Sequence, residues 1–232
     1  MDNNRLNFSQ RHPFLFGLIL LTAAAVLVSG IVAAFSLLLF PHKGSKKFMS
    51  GQKFGRVNIV GFLADAQDIV SWIKDLREDD DVLGVLVRVE TPGGGVSPAQ
   101  DIHRAIKRLA QKKPVVVSMG AVAASGGYYL SCPAQTIIAN PGTITGSIGV
   151  IMELTNLMGL MHKLGINNQN IVSGKFKDAG SPYRELSEEE RVYLQALIAD
   201  LFDQFVTDVA EGRKMPPEKV RAIADGRVLT GR

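Results

Sequence analysis

Hydrophobic and polar positions divide the chain into two regimes. From Phe14 to Phe40, 27 consecutive residues carry no charge and 22 of them are apolar. Every face of a helix built from this run is apolar, which excludes an amphipathic helix lying on a soluble core. At about 1.5 Å per residue it reaches roughly 40 Å, more than the ~30 Å hydrocarbon core of a bilayer. A secretory leader has an apolar stretch of only about 7–15 residues followed by a small-residue cleavage site. The run therefore reads as an uncleaved membrane anchor, bracketed by Pro13 and Pro41, which limit where its helix starts and stops.

After residue 54 the pattern alternates between periods of two and 3.6. Val57–Leu63 reads as a strand. Asp65 is placed to cap a helix with Ile69, Trp72, Ile73 and Leu76 on its inner face. Val82–Val89 is β-branched and nearly all apolar, as in a strand covered on both faces. Ser97-Pro98-Ala99-Gln100 resembles a capping box, ahead of a helix burying Ile102, Ala105, Ile106 and Leu109. Strands are then expected at Pro114–Met119, Thr136–Ala139, Ser147–Met152 and Ile171–Val172. Helices are expected from Ser125 and over Leu154–Leu164. Ser187-Glu188-Glu189-Glu190 opens a long helix with Leu194, Leu197, Ile198, Leu201, Phe202 and Phe205 inside. Strands alternating with helices imply an α/β fold with a largely parallel sheet.

The expected organisation is a tail over 1–13, an anchor over 14–40, a juxtamembrane linker over 41–54 and one catalytic domain over 55–232. The last residues, Val228-Leu229-Thr230, read as the start of a further element, so the domain is expected to continue past Arg232.

Composition adds three constraints. Mean hydropathy is only +0.13 despite the anchor, so the remainder is an ordinary globular composition and not a set of further spans. Net charge is +4, with Lys43, Lys46, Lys47, Lys53 and Arg56 just after the anchor against Arg5 and Arg11 before it. Such a cluster suits anionic headgroups, and no nucleic-acid motif accompanies it. Counted literally, these charges put the large domain in the cytoplasm, although long domains translocate largely regardless of charge. The single cysteine, Cys132, excludes an internal disulfide and a cysteine-based zinc site, and its apolar surroundings read as core.

Two glycine-rich segments carry candidate chemistry. Thr91-Pro92-Gly93-Gly94-Gly95 follows the most buried strand and lets backbone N–H groups approach a ligand, but it matches neither phosphate-loop nor dinucleotide fingerprints. Ala123-Ala124-Ser125-Gly126-Gly127-Tyr128-Tyr129 places a serine where strand turns to helix. That is the position of a nucleophile with an adjacent oxyanion amide, or of a simple helix N-cap. The histidines do not supply a base. His12 and His42 flank the anchor, His103 falls on the polar side of its helix, and His162 lies on an amphipathic one. The Gly-x-Ser-x-Gly elbow of α/β-hydrolases is absent. A lysine can replace histidine if desolvation lowers its pKa from about 10.4 by several units. Lys175 and Lys177, in Ser173-Gly174-Lys175-Phe176-Lys177-Asp178, are the candidates.

Four segments together resemble one family. They are Glu90-Thr91-Pro92-Gly93-Gly94-Gly95, Ala124-Ser125-Gly126-Gly127-Tyr128-Tyr129, the stretch Asn140-Pro141-Gly142-Thr143-Ile144-Thr145-Gly146-Ser147-Ile148-Gly149-Val150, and Ser173-Gly174-Lys175-Phe176-Lys177-Asp178. In this order they resemble the signal peptide peptidase (protease IV) family of membrane-anchored serine peptidases, in its short single-domain form, over about residues 55–232. The resemblance implies a Clp protease/crotonase fold of ββα units, with Ser125 as nucleophile and Lys177 as general base and acid. It also implies oxyanion amides at Gly94 and Gly126, and no metal or cofactor. Choosing Lys177 over Lys175 rests on motif register. The implied reaction is hydrolysis of signal peptides and other apolar membrane peptides through an acyl-enzyme. An extended substrate is expected to pair along Thr143–Gly149. The implied setting is the cytoplasmic membrane, with the N-terminus cytoplasmic and the catalytic domain outside. The implied assembly is a homo-oligomeric ring whose active sites are shared between protomers. Two other readings compete: an acyl-CoA enzyme of the crotonase type, which would use the same glycine amides, and a non-catalytic membrane scaffold.

Overall fold

The computed structural model describes residues 12–39 and 51–232, which fall into two units. Arg5, Arg11, His42, Lys43, Lys46, Lys47 and most of the expected linker lie outside the described residues. The first unit is one helix, α1 (Pro13–Leu39). Within it Phe14–Val32 is long and apolar enough to cross a membrane, and Leu21, Val26, Leu27 and Ile31 are exposed.

The second unit is an α/β domain. In chain order it comprises β1 (Lys53–Val60), α2 (Gln67–Glu78), β2 (Val82–Thr91), α3 (Val96–Ala110), β3 (Val115–Ala124) and α4 (Gly126–Ser131). There follow β4 (Thr136–Ile138), β5 (Ile144–Gly146), α5 (Met158–Lys163), α6 (Glu188–Arg213), α7 (Pro217–Ile223) and β6 (Val228–Thr230). The sheet order is β1-β2-β3-β5-β6, with β4 also on β3. All pairings are parallel except β5 with β6. The two crossovers β1-α2-β2 and β2-α3-β3 explain why β2 and β3 are nearly continuous apolar runs.

The core sits between the sheet and α2 and α3. Ile59, Val87, Val89, Val115 and Val117 meet Ile73, Ile102, Ile106 and Leu109, all essentially fully buried. Cys132 is part of this core, and burial pushes its thiol pKa well up.

Several local expectations change. Trp72 is half exposed, and its indole N–H bonds the outward carbonyl of Arg56 (2.9 Å), protecting the edge strand β1. Asp65 does accept from Ala66 N and Gln67 N at the start of α2. Ser97 is not a cap: α3 begins at Val96 behind Gly95, because the glycine loop already turns the chain there. Ser187 and Glu190 do form a reciprocal capping box on α6. The first half of α6 leaves Leu197 exposed; its buried residues are Glu190, Phe205, Val206, Val209 and Ala210. Ser147–Met152 and Ile171–Val172 form no strand: after β5 only Ser147 and Ile148 bond the neighbouring segment at Arg227 and Gly226, and the chain then leaves the sheet.

Candidate active site

The site is assembled at the C-terminal ends of β2 and β3, where parallel strands deliver their loops to one edge. The first half of β3 pairs with β4 and the second half with β5, so the strand must bend between them. Glu90 makes that bend. Its carboxylate accepts the N–H groups of Ala121 (2.9 Å) and Val122 (3.3 Å), taking over from β2 where the ladder shifts register. A Cβ on Gly120 would lie 1.4 Å from the Glu90 carboxylate, so only glycine leaves room for it.

Beyond the bend the chain turns sharply at Ser125, whose φ of 51° is rare for a residue with a side chain. The turn is held because Ser125 N donates to Gly146 O (2.9 Å) and Tyr129 N donates to Ser125 O (2.9 Å). Ser125 occupies the N-cap position of α4, yet its side chain caps no backbone N–H. Its hydroxyl has no hydrogen-bond partner among the described residues and lies in the wall of a pocket. A helix of six residues contributes little macrodipole, so any stabilisation of charge here comes from local amides.

Two such amides are on hand. Gly126 opens α4, so its N–H has no partner within the helix. At the other loop, Leu63 N donates to Gly93 O (3.0 Å) and Gly95 N donates to Leu63 O (2.8 Å). Because a trans peptide points its oxygen and hydrogen in opposite directions, the Gly94 N–H faces away from Leu63. Thr91 fixes this loop: its hydroxyl donates to Gly61 O (2.5 Å) and accepts from Gly93 N (3.0 Å). The two loops touch. A Cβ on Gly93 would sit 2.8 Å from Gly126 N, and one on Gly94 would sit 2.5 Å from both Leu63 N and Leu63 O.

Gly94, Ser125 and Gly126 therefore line one pocket of about 90 Å³, together with apolar groups including Val96, Ala99, Tyr129, Ile151 and Phe205. Lys177 is exposed and is not among the residues lining that pocket. Its surroundings are nevertheless ordered. Lys175 pairs with Glu189, and Phe176 stacks on Tyr193 at 4.9 Å. Asp178 accepts from Arg184 (2.9 Å) and Asn170 (2.9 Å). The same Arg184 guanidinium grips both oxygens of Glu190 in the α6 capping box. These contacts hold the Asp178 carboxyl below its usual range and lower Glu190 to about 2. The two candidate lysines are thus distinguished: Lys175 is engaged by a carboxylate and Lys177 makes no such ion pair among the described residues.

His103 is not a surface residue. It is 2% exposed because α6 packs across the outer side of α3, cross-linked by Lys107–Glu211 and Gln100–Gln204. Its ring lies 4.7 Å from that of Tyr129, and its Nδ1 has no partner among the described residues. Burial lowers its pKa, opposed by the nearby Asp208 and Glu211 carboxylates. His162 is exposed on α5. The Thr143–Gly149 strip is also not free. Ile144–Gly146 pairs with β3 on one side and β6 on the other, and Ser147 and Ile148 bond Arg227 and Gly226. The next extended segment, Gly149–Ile151, lines the pocket, and its backbone makes no hydrogen bond among the described residues. Sequence reasoning missed the roles of Glu90, Arg184 and Asp208. Glu90 stands inside a quoted motif, whereas Asp208 carries no local signal.

Known proteins resemble the chain along the same stretches. Residues 107–232 match peptidase family S49. A Methanocaldococcus jannaschii protein named as a putative protease is 38% identical over 229 residues, covering 92% of this chain and 74% of its own length. A Synechocystis protein with a similar name is 41% identical over 196 residues, covering 84% of this chain and 69% of its own. Protease 4 of Salmonella typhi is 38% identical over 162 residues, covering 69% of this chain and 26% of the longer relative.

Proposed function

Since the chain belongs to peptidase family S49, the signal peptide peptidase group of Clp protease/crotonase-type serine peptidases, we propose that it cleaves apolar peptides at the membrane with a Ser125–Lys177 dyad. The observation carrying this reading is the convergence of an uncommitted Ser125 hydroxyl with the amides of Gly94 and Gly126 around one apolar pocket. The Ser125 hydroxyl attacks the scissile carbonyl while the neutral Lys177 amine takes its proton. The oxyanion forms between the two glycine amides. Lys177 passes the proton to the departing amine, and water activated by Lys177 then releases the acyl group.

A lysine amine is neutral only where water is stripped from it. Lys177 is exposed in the single chain, so a second copy covering the Lys177 loop supplies both the desolvation and the neighbouring serine pocket. Exposed apolar side chains support that assembly: Ile151, Leu160, Ile171 and Val192 all face outward, as they would if another surface covered them. Gly149–Ile151, with its unpaired backbone beside Ser125, is the edge on which an extended substrate adds as a strand. With α1 crossing the cytoplasmic membrane and the catalytic domain outside, substrates are apolar segments such as spent signal peptides.

The test uses full-length protein in detergent with an apolar fluorogenic peptide and a fluorophosphonate probe. Wild type is expected to label at Ser125, and Ser125→Ala to lose labelling and cleavage. Lys177→Arg is expected to be equally inactive, because a guanidinium does not act as a base. Mixing Ser125→Ala with Lys177→Ala chains is expected to restore part of the activity. Turnover by either single variant alone would overturn the dyad, and failure of the mixture would overturn the shared site.

A further inference from the structure

The pocket beside Ser125 is lined in part by Tyr129, whose ring is positioned by a different helix. Tyr129 belongs to α4, and its backbone N–H holds the Ser125 carbonyl. Its ring lies in the pocket wall, 5% exposed, and meets Phe205 of α6 edge-on at 4.9 Å. The hydroxyl at its tip donates to the Asp208 carboxylate, one turn farther along the same helix. Burial and Asp208 both raise the Tyr129 pKa, so the group stays a donor. The ring also lies 4.7 Å from that of His103 on α3. Tyr129 is thus held by Phe205, Asp208 and His103, all three outside the turn at Ser125 and two of them on α6.

When a substrate carbonyl sits between the Gly94 and Gly126 amides, the side chain of the same residue has this pocket as its nearest cavity. At about 90 Å³ the pocket is smaller than the ~150 Å³ cavity that accommodates benzene. An isobutyl group suits a space of that size, whereas a benzyl group would press on its walls, of which Tyr129 is one. We propose that Tyr129, locked by Asp208, is the specificity-determining wall of this pocket, limiting the residue on the acyl side of the scissile bond to aliphatic side chains up to leucine. Asp208 is a positioning residue that acts through Tyr129. The inference rests on Ser125 being the nucleophile.

The experiment compares kcat/KM for four peptides identical except for Ala, Val, Leu or Phe at that position. Full-length protein in detergent is used, with rates divided by the fraction of Ser125 labelled by fluorophosphonate. Wild type is expected to prefer Leu over Phe by about tenfold or more. Tyr129→Phe keeps the ring and removes the bond, and is expected to lower the Leu/Phe ratio about fivefold, mainly through a lower KM for the Phe peptide. Asp208→Ala should lower the ratio by a similar factor, and the double variant no further, since both remove one interaction. Asp208→Asn retains an acceptor oxygen and should restore the wild-type ratio. An unchanged ratio in Tyr129→Phe with labelling intact overturns the proposal, as does a double variant whose effects add. Should Asp208→Ala fail to fold, Tyr129→Phe and Asp208→Asn decide alone. Absence of labelling in the wild type would instead count against Ser125 as nucleophile.

Discussion

Gly94→Ala is the sharpest perturbation of the proposed oxyanion site. The new Cβ would lie 2.5 Å from Leu63 N and Leu63 O and 2.8 Å from Leu63 Cα, where ordinary contact begins near 3.4 Å. All three are backbone atoms, so no side-chain rotation relieves the overlap. The loop must retreat by roughly 0.9 Å, which loosens the Leu63 hydrogen bonds to Gly93 and Gly95 and swings the Gly94 N–H off its line. Loss of one oxyanion donor costs about 2.7–4 kcal/mol of transition-state stabilisation, or about 10²–10³ in kcat. Overpacking of this kind costs about 1–3 kcal/mol of stability, a drop in Tm of about 3–10 °C for a domain of this size. The assay is the acylation rate with an apolar peptide ester, read alongside thermal unfolding. Gly142→Ala is the control: it lies in another of the glycine motifs, but its Cβ would meet nothing within 4 Å. It is expected to stay within twofold of wild type. Retention of more than a tenth of the activity by Gly94→Ala, or an equal loss in Gly142→Ala, would refute the reasoning.

Three other outcomes are expected. Gly120→Ala would drive its Cβ into the Glu90 carboxylate, so it should lower activity at least tenfold by displacing the Ala121 and Val122 amides and the serine turn after them, an effect visible as lost fluorophosphonate labelling. Ile102, fully buried in the core, should cost about 2–5 kcal/mol when changed to Ala, measured as a lower denaturant midpoint with labelling at Ser125 retained in the folded fraction. The Arg184 network should be acid-labile: Asp178 and Glu190 have folded pKa values below their usual ones, Glu190 at about 2. Their stabilisation is therefore complete above the unfolded value of about 4.3 and fades as pH falls toward 2. Amide exchange around residues 174–187 should accelerate across that interval ahead of exchange in the β2–β3 core. Uniform acceleration would count against a local network.

Much of the domain is legible from alternation alone. β2, β3 and α3 follow from Val82–Val89, Val115–Met119 and the Ile102/Ile106/Leu109 spacing, because burial on a parallel sheet leaves an unmistakable apolar signature. Misreadings concentrate where partners are distant in sequence. His103 reads as polar-side until α6, a hundred residues later, is laid over it. Ser147–Met152 has strand composition, but residues 226–230 take the adjoining edge at Ser147 and Ile148 and leave Gly149–Ile151 unpaired. At the site, Ser125, Gly94 and Gly126 are local to glycine motifs and line one pocket. Lys177 is separated from them by a segment with little regular structure, and no periodicity places it.

The antiparallel pairing of β5 with β6 has a consequence for the timing of synthesis. Gly146, which holds the Ser125 amide, is itself paired with Val228, and Ser147 N with Arg227 O. The backbone that braces the turn at Ser125 is thus finished only when residues about a hundred positions downstream have been made. At about 5–20 residues per second, that is a lag of roughly 5–20 s on the ribosome. A nascent chain therefore carries Ser125 through that interval before the strand that braces its turn exists.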